Sequence, residues 1–194
     1  MAFIDENCSL YPLSRTLGTE FFDCDHDDLN DFFANDCDNY SSELLGKSYC
    51  FTLDSDPKEI VCAFTISNDS LKSDILPNSR RKVLTKSIPS EKRMRNYPAV
   101  LIGRLGVSVK YKRQGIGNEL MDFIKFWFVS PENKTGCRFI IVDSYNEPAP
   151  LLYYEKNGFK TLFSSEAQER QYFNMTEDES LKSRLLFFDL IVLK

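Results

Sequence analysis

A mixed α/β (α+β) fold in a single domain over residues 1–194 follows from three features of the sequence. Runs of strand character alternate with segments of helical periodicity, in the order αββ, then βαβα, then ββ. Turn clusters of Asp, Ser, Pro and Gly separate these runs. Bulky core material is plentiful, with 16 Phe and 9 Tyr in a chain that is 42% hydrophobic, so a packed core needs no cross-links.

The elements can be justified in order. A short extended segment lies around Tyr11–Leu13. Asp25-His26-Asp27-Asp28 then offers N-cap chemistry, and Leu29, Phe32, Phe33 and Cys37 recur at helical spacing, predicting an amphipathic helix over 26–39. Lys47–Leu53 and Glu59–Ser67 are β-rich and flank Asp54-Ser55-Asp56-Pro57, which reads as a hairpin. Residues 68–97 are polar, basic and irregular, with a short helix near Ser79–Ser87. Pro98–Val109 is nearly continuous in apolar residues, as a strand buried on both faces should be. Leu120, Met121, Ile124, Trp127 and Phe128 mark a helix of about four turns. Arg138–Ser144 is a strand. The Pro-bearing segment 146–150 starts a helix over Leu151–Asn157 that stops at Gly158. Phe159–Phe163 begins a strand, Ser164–Ser183 is a polar insertion, and Arg184–Leu193 is the last strand. No internal repeat and no linker divides the chain.

Composition excludes several classes. Gly and Pro number 8 each, too few for a low-complexity or collagen-like chain. Six scattered cysteines with no C-x-x-C pair, and one histidine, assemble no zinc set of familiar spacing. The N-terminal MAFIDENCSLYP lacks the basic and apolar regions of a signal peptide, and no run approaches the ~18 apolar residues of a membrane span. A cytoplasmic protein with reduced, mostly buried thiols is expected, with no metal.

A net charge of −5 argues against broad nucleic-acid binding, but the charge is uneven. Residues Glu20 to Asp38 carry eight acids and no Lys or Arg, whereas Arg80 to Arg95 carry seven Lys or Arg against the single acid Glu91. The basic run is either a solvated face or a patch that recruits a polyanion.

Two segments bear chemistry. The first is Lys112-Arg113-Gln114-Gly115-Ile116-Gly117, between a strand and a helix. Its glycines let the backbone turn sharply or approach a ligand closely, and the following helix N-terminus is electropositive. That is either a tight turn or a pyrophosphate cradle. The second is Tyr154-Glu155-Lys156-Asn157-Gly158-Phe159. Tyr154 is either a core residue or a proton donor to a leaving anion. Asn146 either caps the following helix or hydrogen-bonds a ligand. His26, on an acidic helix, reads as a surface residue, and no general base is identifiable.

Together these segments make the chain resemble the GCN5-related N-acetyltransferase (GNAT) family, whose pyrophosphate motif runs Gln/Arg-x-x-Gly-x-Gly/Ala and whose closing motif runs Tyr-x-x-x-Gly-Phe. Lys112 stands where the first has Gln or Arg. Phe22-Asp23-Cys24 before an Asp-rich helix, and Gly103-Arg104-Leu105-Gly106-Val107, are similar to the branch found as toxins in toxin–antitoxin pairs. The resemblance implies a central, mostly antiparallel mixed sheet split into a V at the cofactor cleft and flanked by helices. It implies acetyl-CoA as cosubstrate and a primary amine as acceptor, attacking the thioester directly. The backbone of Leu105, Gly106 and Val107 would face the thioester. Gln114, Gly115, Ile116, Gly117 and Asn118 would hold the pyrophosphate, Lys112 and Arg113 would add charge, Asn146 could contact the pantetheine, and Tyr154 would protonate the thiolate. It also leaves open a tRNA or antitoxin partner, a silent coenzyme A-binding module, and a monomer or homodimer, with no membrane association.

Overall fold

The computed structural model describes residues 2–17, 19 and 22–194; Glu20 of the acidic run lies outside them. Seven strands form one open sheet in the order β1-β2-β3-β4-β5-β7-β6, flanked by helices. These strands are β1 Cys8–Pro12, β2 Lys47–Leu53, β3 Ile60–Lys72, β4 Asn96–Val107, β5 Phe139–Tyr145, β6 Lys160–Thr161 and β7 Ser183–Asp189. The helices are α1 Phe3–Asn7, α2 Asp27–Asp31, α3 Cys37–Ser42, α4 Asn78–Leu84, α5 Ile116–Val129, α6 Pro148–Lys156 and α7 Glu166–Tyr172. The chain divides into two compact units, Met1–Ser67 with Ile102–Trp127, and Asn68–Leu101 with Phe128–Lys194.

In the first unit, the expected hairpin is present: β2 and β3 pair antiparallel from Lys47↔Ile66 to Phe51↔Cys62, with a bulge between Phe51 and Thr52. β1 adds antiparallel to β2. The predicted helix over 26–39 forms with a π-helical turn, Phe32–Asp36, between α2 and α3. That turn lets Phe32, Phe33 and Cys37 all enter the core with Cys50, Ile60 and Ala63. The Asp side chains of 25–28 do not cap it: the N-cap is His26, without a side-chain cap bond. Asn30 does the local work instead, its Oδ1 accepting from the Cys24 N–H at 2.9 Å while its Nδ2 donates to Asp23 at 2.8 Å. α5 buries Ile116, Leu120, Met121 and Ile124. Its Phe123 packs edge-on against Phe51 at 4.9 Å, and Trp127 against Tyr49 at 5.1 Å.

In the second unit, β7 pairs antiparallel with β5 along its length and with β6 at two positions. The core gathers Leu71, Leu84, Tyr97, Phe139, Ile141, Phe163 and Phe187. Several elements differ from expectation. β3 continues to Lys72, so 68–72 is not irregular. The last strand ends at Asp189, followed by a 3-10 turn over Leu190–Leu193. The insertion contains α7, capped by Ser165, whose side chain accepts from the Gln168 N–H. α1 was also not expected. All six cysteines are free thiols; Cys24, Cys37, Cys50 and Cys62 are buried and behave as small core residues.

Candidate active site

Half of the expected site lies in the first unit, at the end of β4. Beyond Val107 the chain makes a 3-10 turn, Val109–Tyr111, and then the loop into α5. Two backbone hydrogen bonds fix its start: Ser108 N–H to Val61 C=O at 2.9 Å, and Val109 N–H to Asp23 C=O at 2.8 Å. Arg113 and Gly115 both adopt left-handed backbone, with φ of 62° and 89°, on either side of Gln114. A Cβ added at Gly115 would meet nothing within 4 Å, so this glycine serves conformation, not space. Successive right- and left-handed residues turn neighbouring N–H groups toward one side, the geometry of an anion-binding concavity. α5 begins there, its Gly115 carbonyl accepting from Asn118 N–H at 2.9 Å, and its positive end points into the loop.

The side chains around the loop are already engaged. Gln114 Nε2 donates back to Lys110 C=O at 2.9 Å, and Lys110 pairs with Glu59 at 2.7 Å. Lys112 Nζ lies 3.1 Å from Asp25 Oδ2, both partners exposed. Arg113, Gln114, Gly115 and Asn118 are exposed, Gly117 half-buried and Ile116 buried. In β4, Leu105 and Val107 are half-buried. Gly106 is required for space: a Cβ there would lie 3.0 Å from Cys24 Sγ and 3.4 Å from Phe22. The Phe22-Asp23-Cys24 segment thus braces the end of β4 from its flank, a role sequence reasoning did not find. Arg104 stacks its guanidinium 4.1 Å from the Phe32 ring centre.

The other half lies in the second unit. α6 ends in a Schellman arrangement: Phe159 N–H donates to Tyr154 C=O at 3.0 Å and Gly158 N–H to Glu155 C=O at 2.9 Å. Gly158 has φ 81°, and a Cβ there would meet Phe188 at 3.1 Å. The spacing from Tyr154 to Gly158-Phe159 is therefore that of a helix stop, which brings the Tyr154 and Phe159 rings within 5.4 Å. The Tyr153 ring sits on Tyr154 at 5.1 Å. Tyr154 keeps some solvent contact, yet desolvation pushes its phenol ionisation well above the usual value. It is held in its protonated, donor form.

Asn146 does not cap α6; the N-cap is Glu147, without a side-chain bond. Its Nδ2 donates instead to Glu166 Oε1 and to Leu181 C=O, each at 3.0 Å, and its N–H donates to Lys182 C=O. The carboxamide of Asn146 draws the Glu166 carboxyl below its ordinary range. Glu169, fully buried on α7, accepts from Arg184 Nε and Leu185 N–H, each at 2.5 Å. Among the described residues no cluster of three or more His, Cys, Asp or Glu is placed to hold a metal, and no helix is long and apolar enough to cross a membrane.

Residues 86–161 match the family model described as an acetyltransferase (GNAT) domain. Both the 112–117 loop and Tyr154 fall inside the matched span. No curated protein sequence matches the chain. Solved structures similar to it include a tyrosine-to-phenylalanine mutant of KacT, with TM-score 0.72 and 18% identity over 97% of this chain and 98% of that one. AtaTR bound with acetyl-CoA has TM-score 0.70 and 19% identity over 97% and 96%. AtaT complexed with acetyl-methionyl-tRNAfMet has TM-score 0.67 and 20% identity over 96% of both chains. At these identities the likeness establishes a shared fold over nearly the whole chain.

Proposed function

We propose that the 194 residues act as one acetyl-CoA-dependent N-acetyltransferase, working in the cytoplasm, where its six thiols stay free. The observation that carries this reading is the loop with two left-handed residues at the start of α5, inside the matched GNAT span. Acetyl-CoA supplies the activated acetyl thioester. Backbone N–H groups of residues 114–118 bind its pyrophosphate, and Arg113 adds charge. Lys112 joins them by exchanging Asp25 for a phosphate. Backbone groups at Leu105, Gly106 and Val107 orient the acetyl group, and Asn146 keeps the segment before α6 in place. An acceptor amine attacks the carbonyl carbon, the carbon–sulfur bond breaks, and Tyr154 gives its proton to the thiolate sulfur, while the surplus proton on the nitrogen passes through solvent and restores the Tyr154 phenol.

A second reading specifies the acceptor as the α-amine of an aminoacyl-tRNA. The similarity to AtaT complexed with acetyl-methionyl-tRNAfMet favours it, as do the exposed Lys86, Lys92 and Arg95 in an otherwise acidic chain. Labelled acetyl-CoA offered aminoacyl-tRNA, a peptide and a polyamine separately identifies the acceptor by which one takes the label.

The cofactor assignment is tested by thermal unfolding with acetyl-CoA. At a ligand concentration a thousandfold above Kd, mass action stabilises the fold by about 4 kcal/mol, and Gly117→Glu should abolish that shift. An acidic side chain in the first turn of a helix suits the helix itself, so the variant should fold and fail only toward pyrophosphate. An equal shift in both proteins would refute the assignment.

A further inference from the structure

The second unit contains a cavity of about 310 Å³ that the proposed acetyl transfer does not use. It lies between α4, the turn before it and the chain entering β4. That volume is at the small end of ligand sites. Three cationic side chains line it, Arg81, Lys82 and Arg93, and no carboxylate does. Asn78 adds a carboxamide, and Met94 and Tyr97 form an apolar wall.

The cations are not equivalent. Arg81 is fixed: its Nε donates to Ser73 C=O at 2.8 Å and its Nη2 to Asp74 C=O at 2.6 Å. Neutral carbonyls hold that guanidinium without cancelling its charge. Lys82 and Arg93 are exposed and, among the described residues, form no ion pair. Neighbouring Arg80 shows the contrast, with Nε donating to Leu162 C=O at 2.7 Å and its charge turned away to brace β6. Three like charges converging on one concavity repel one another, and in a chain of net charge −5 acidic partners were available to oppose them. A preorganised guanidinium beside two adaptable cations fits a doubly charged tetrahedral anion, which takes several charge-assisted hydrogen bonds at once.

We propose that this cavity binds the phosphate group of a phosphorylated ligand. Two sources present that chemistry: a small phosphorylated metabolite, and the terminal phosphate of a polynucleotide. Neither depends on the acetyl-CoA site.

The test titrates the full chain with inorganic phosphate, pyrophosphate and a short single-stranded oligonucleotide with and without a 5′-phosphate. Binding is followed by calorimetry and by phosphorus NMR of the small anions. Saturable binding of pyrophosphate is expected. It should weaken about tenfold or more in Lys82→Ser/Arg93→Ser, which removes two charge-assisted contacts. Both side chains are exposed, so the variant keeps its fold, checked by an unchanged melting temperature and an unchanged acetyl-CoA shift. Pyrophosphate is run with acetyl-CoA saturating, so that the 112–117 loop is not the site titrated. If only the 5′-phosphorylated oligonucleotide competes with pyrophosphate, the source is a polynucleotide end; if neither oligonucleotide competes, it is a small molecule. Absence of saturable binding by every phosphate probe, equal binding by the double variant, or oligonucleotide binding indifferent to the 5′-phosphate would each overturn the proposal.

Discussion

Removing the hydroxyl of Tyr154 while keeping its ring separates chemistry from packing. The ring contacts with Tyr153 and Phe159 survive in Tyr154→Phe, so stability should change by less than ~1.5 kcal/mol. General acids contribute ~10²–10⁴-fold, and kcat should fall toward the lower end because a thiolate is a modest base. KM for acetyl-CoA should hardly move, and the deficit should shrink at high pH, where the thiolate leaves without a proton. Desolvation keeps the Tyr154 phenol protonated through that range, so the wild type should lose no activity from this group as pH rises. Steady-state kinetics across pH checks both; a variant at full rate would make Tyr154 structural. The tyrosine and its glycine were legible in the sequence because a helix stop is local: only Gly tolerates φ 81° beside Phe188 at that spacing. Asn146 was not legible in the same way. Its partners Glu166 and Leu181 stand 20 and 35 residues away, and no local rule announces them.

At the end of β4, Gly106 and Cys24 form one packing unit. Gly106→Ala places a Cβ 3.0 Å from Cys24 Sγ, an overpacking of the kind that costs about 1–3 kcal/mol. Cys24→Ala alone removes one buried sulfur. Cys24→Ala removes the sulfur but leaves the Cβ of residue 24 at 3.1 Å from the new methyl, so relief is partial: the double variant should be more stable than the two single effects sum to, by at most about 0.5 kcal/mol. Denaturant unfolding of the four proteins measures the coupling, and strict additivity would mean that the strand moves away instead. Other elements were readable to different degrees. The β2–β3 hairpin and α5 were clear because their periodicity and turn residues agree. α7 was missed because it is short and polar; its one signal is Ser165 followed three residues later by Gln168, a capping pattern without an apolar run behind it. The basic run held another ambiguity: nothing in the sequence distinguishes Arg80 and Arg81, which hold backbone carbonyls, from the exposed Lys86 and Lys92.

Across the whole molecule, the thiols impose a limit on the alkaline side. Burial pushes Cys8, Cys24, Cys37 and Cys137 up to about 11 and Cys50 to about 12, with Cys62 also raised. In the unfolded chain these groups lose protons near their ordinary value. The unfolded state therefore binds fewer protons than the folded one once pH exceeds about 9, and stability falls with rising pH until the folded thiols titrate. The melting temperature should drop steeply between pH 9 and 11, and Cys-to-Ala or Cys-to-Ser changes at the half-exposed Cys8 and Cys137 should lessen the drop. A flat profile over that window would contradict the burial of these groups. The expectation of reduced thiols rested on the expected cytoplasmic setting, whereas their depth depends on strand registers that only the folded molecule defines.

The insertion between β6 and β7 is clasped from both ends. Asn146 holds Glu166 and Leu181, and buried Glu169 holds Arg184 and the Leu185 amide. The exposed acidic tip, Glu177-Asp178-Glu179, lies between those anchors, its one further tie to α7 being Glu179 C=O, which accepts from Arg170 Nε at 3.0 Å. A glutamate-specific protease should nick the native protein at this tip. The two pieces should nonetheless remain associated and co-elute until denaturant is added, since the bonds of Asn146 to Leu181 and of Glu169 to Arg184 and Leu185 bridge the cut. Covalent continuity at the tip is thus dispensable to the fold, which makes it a place to open the chain for new termini, a label or a guest sequence.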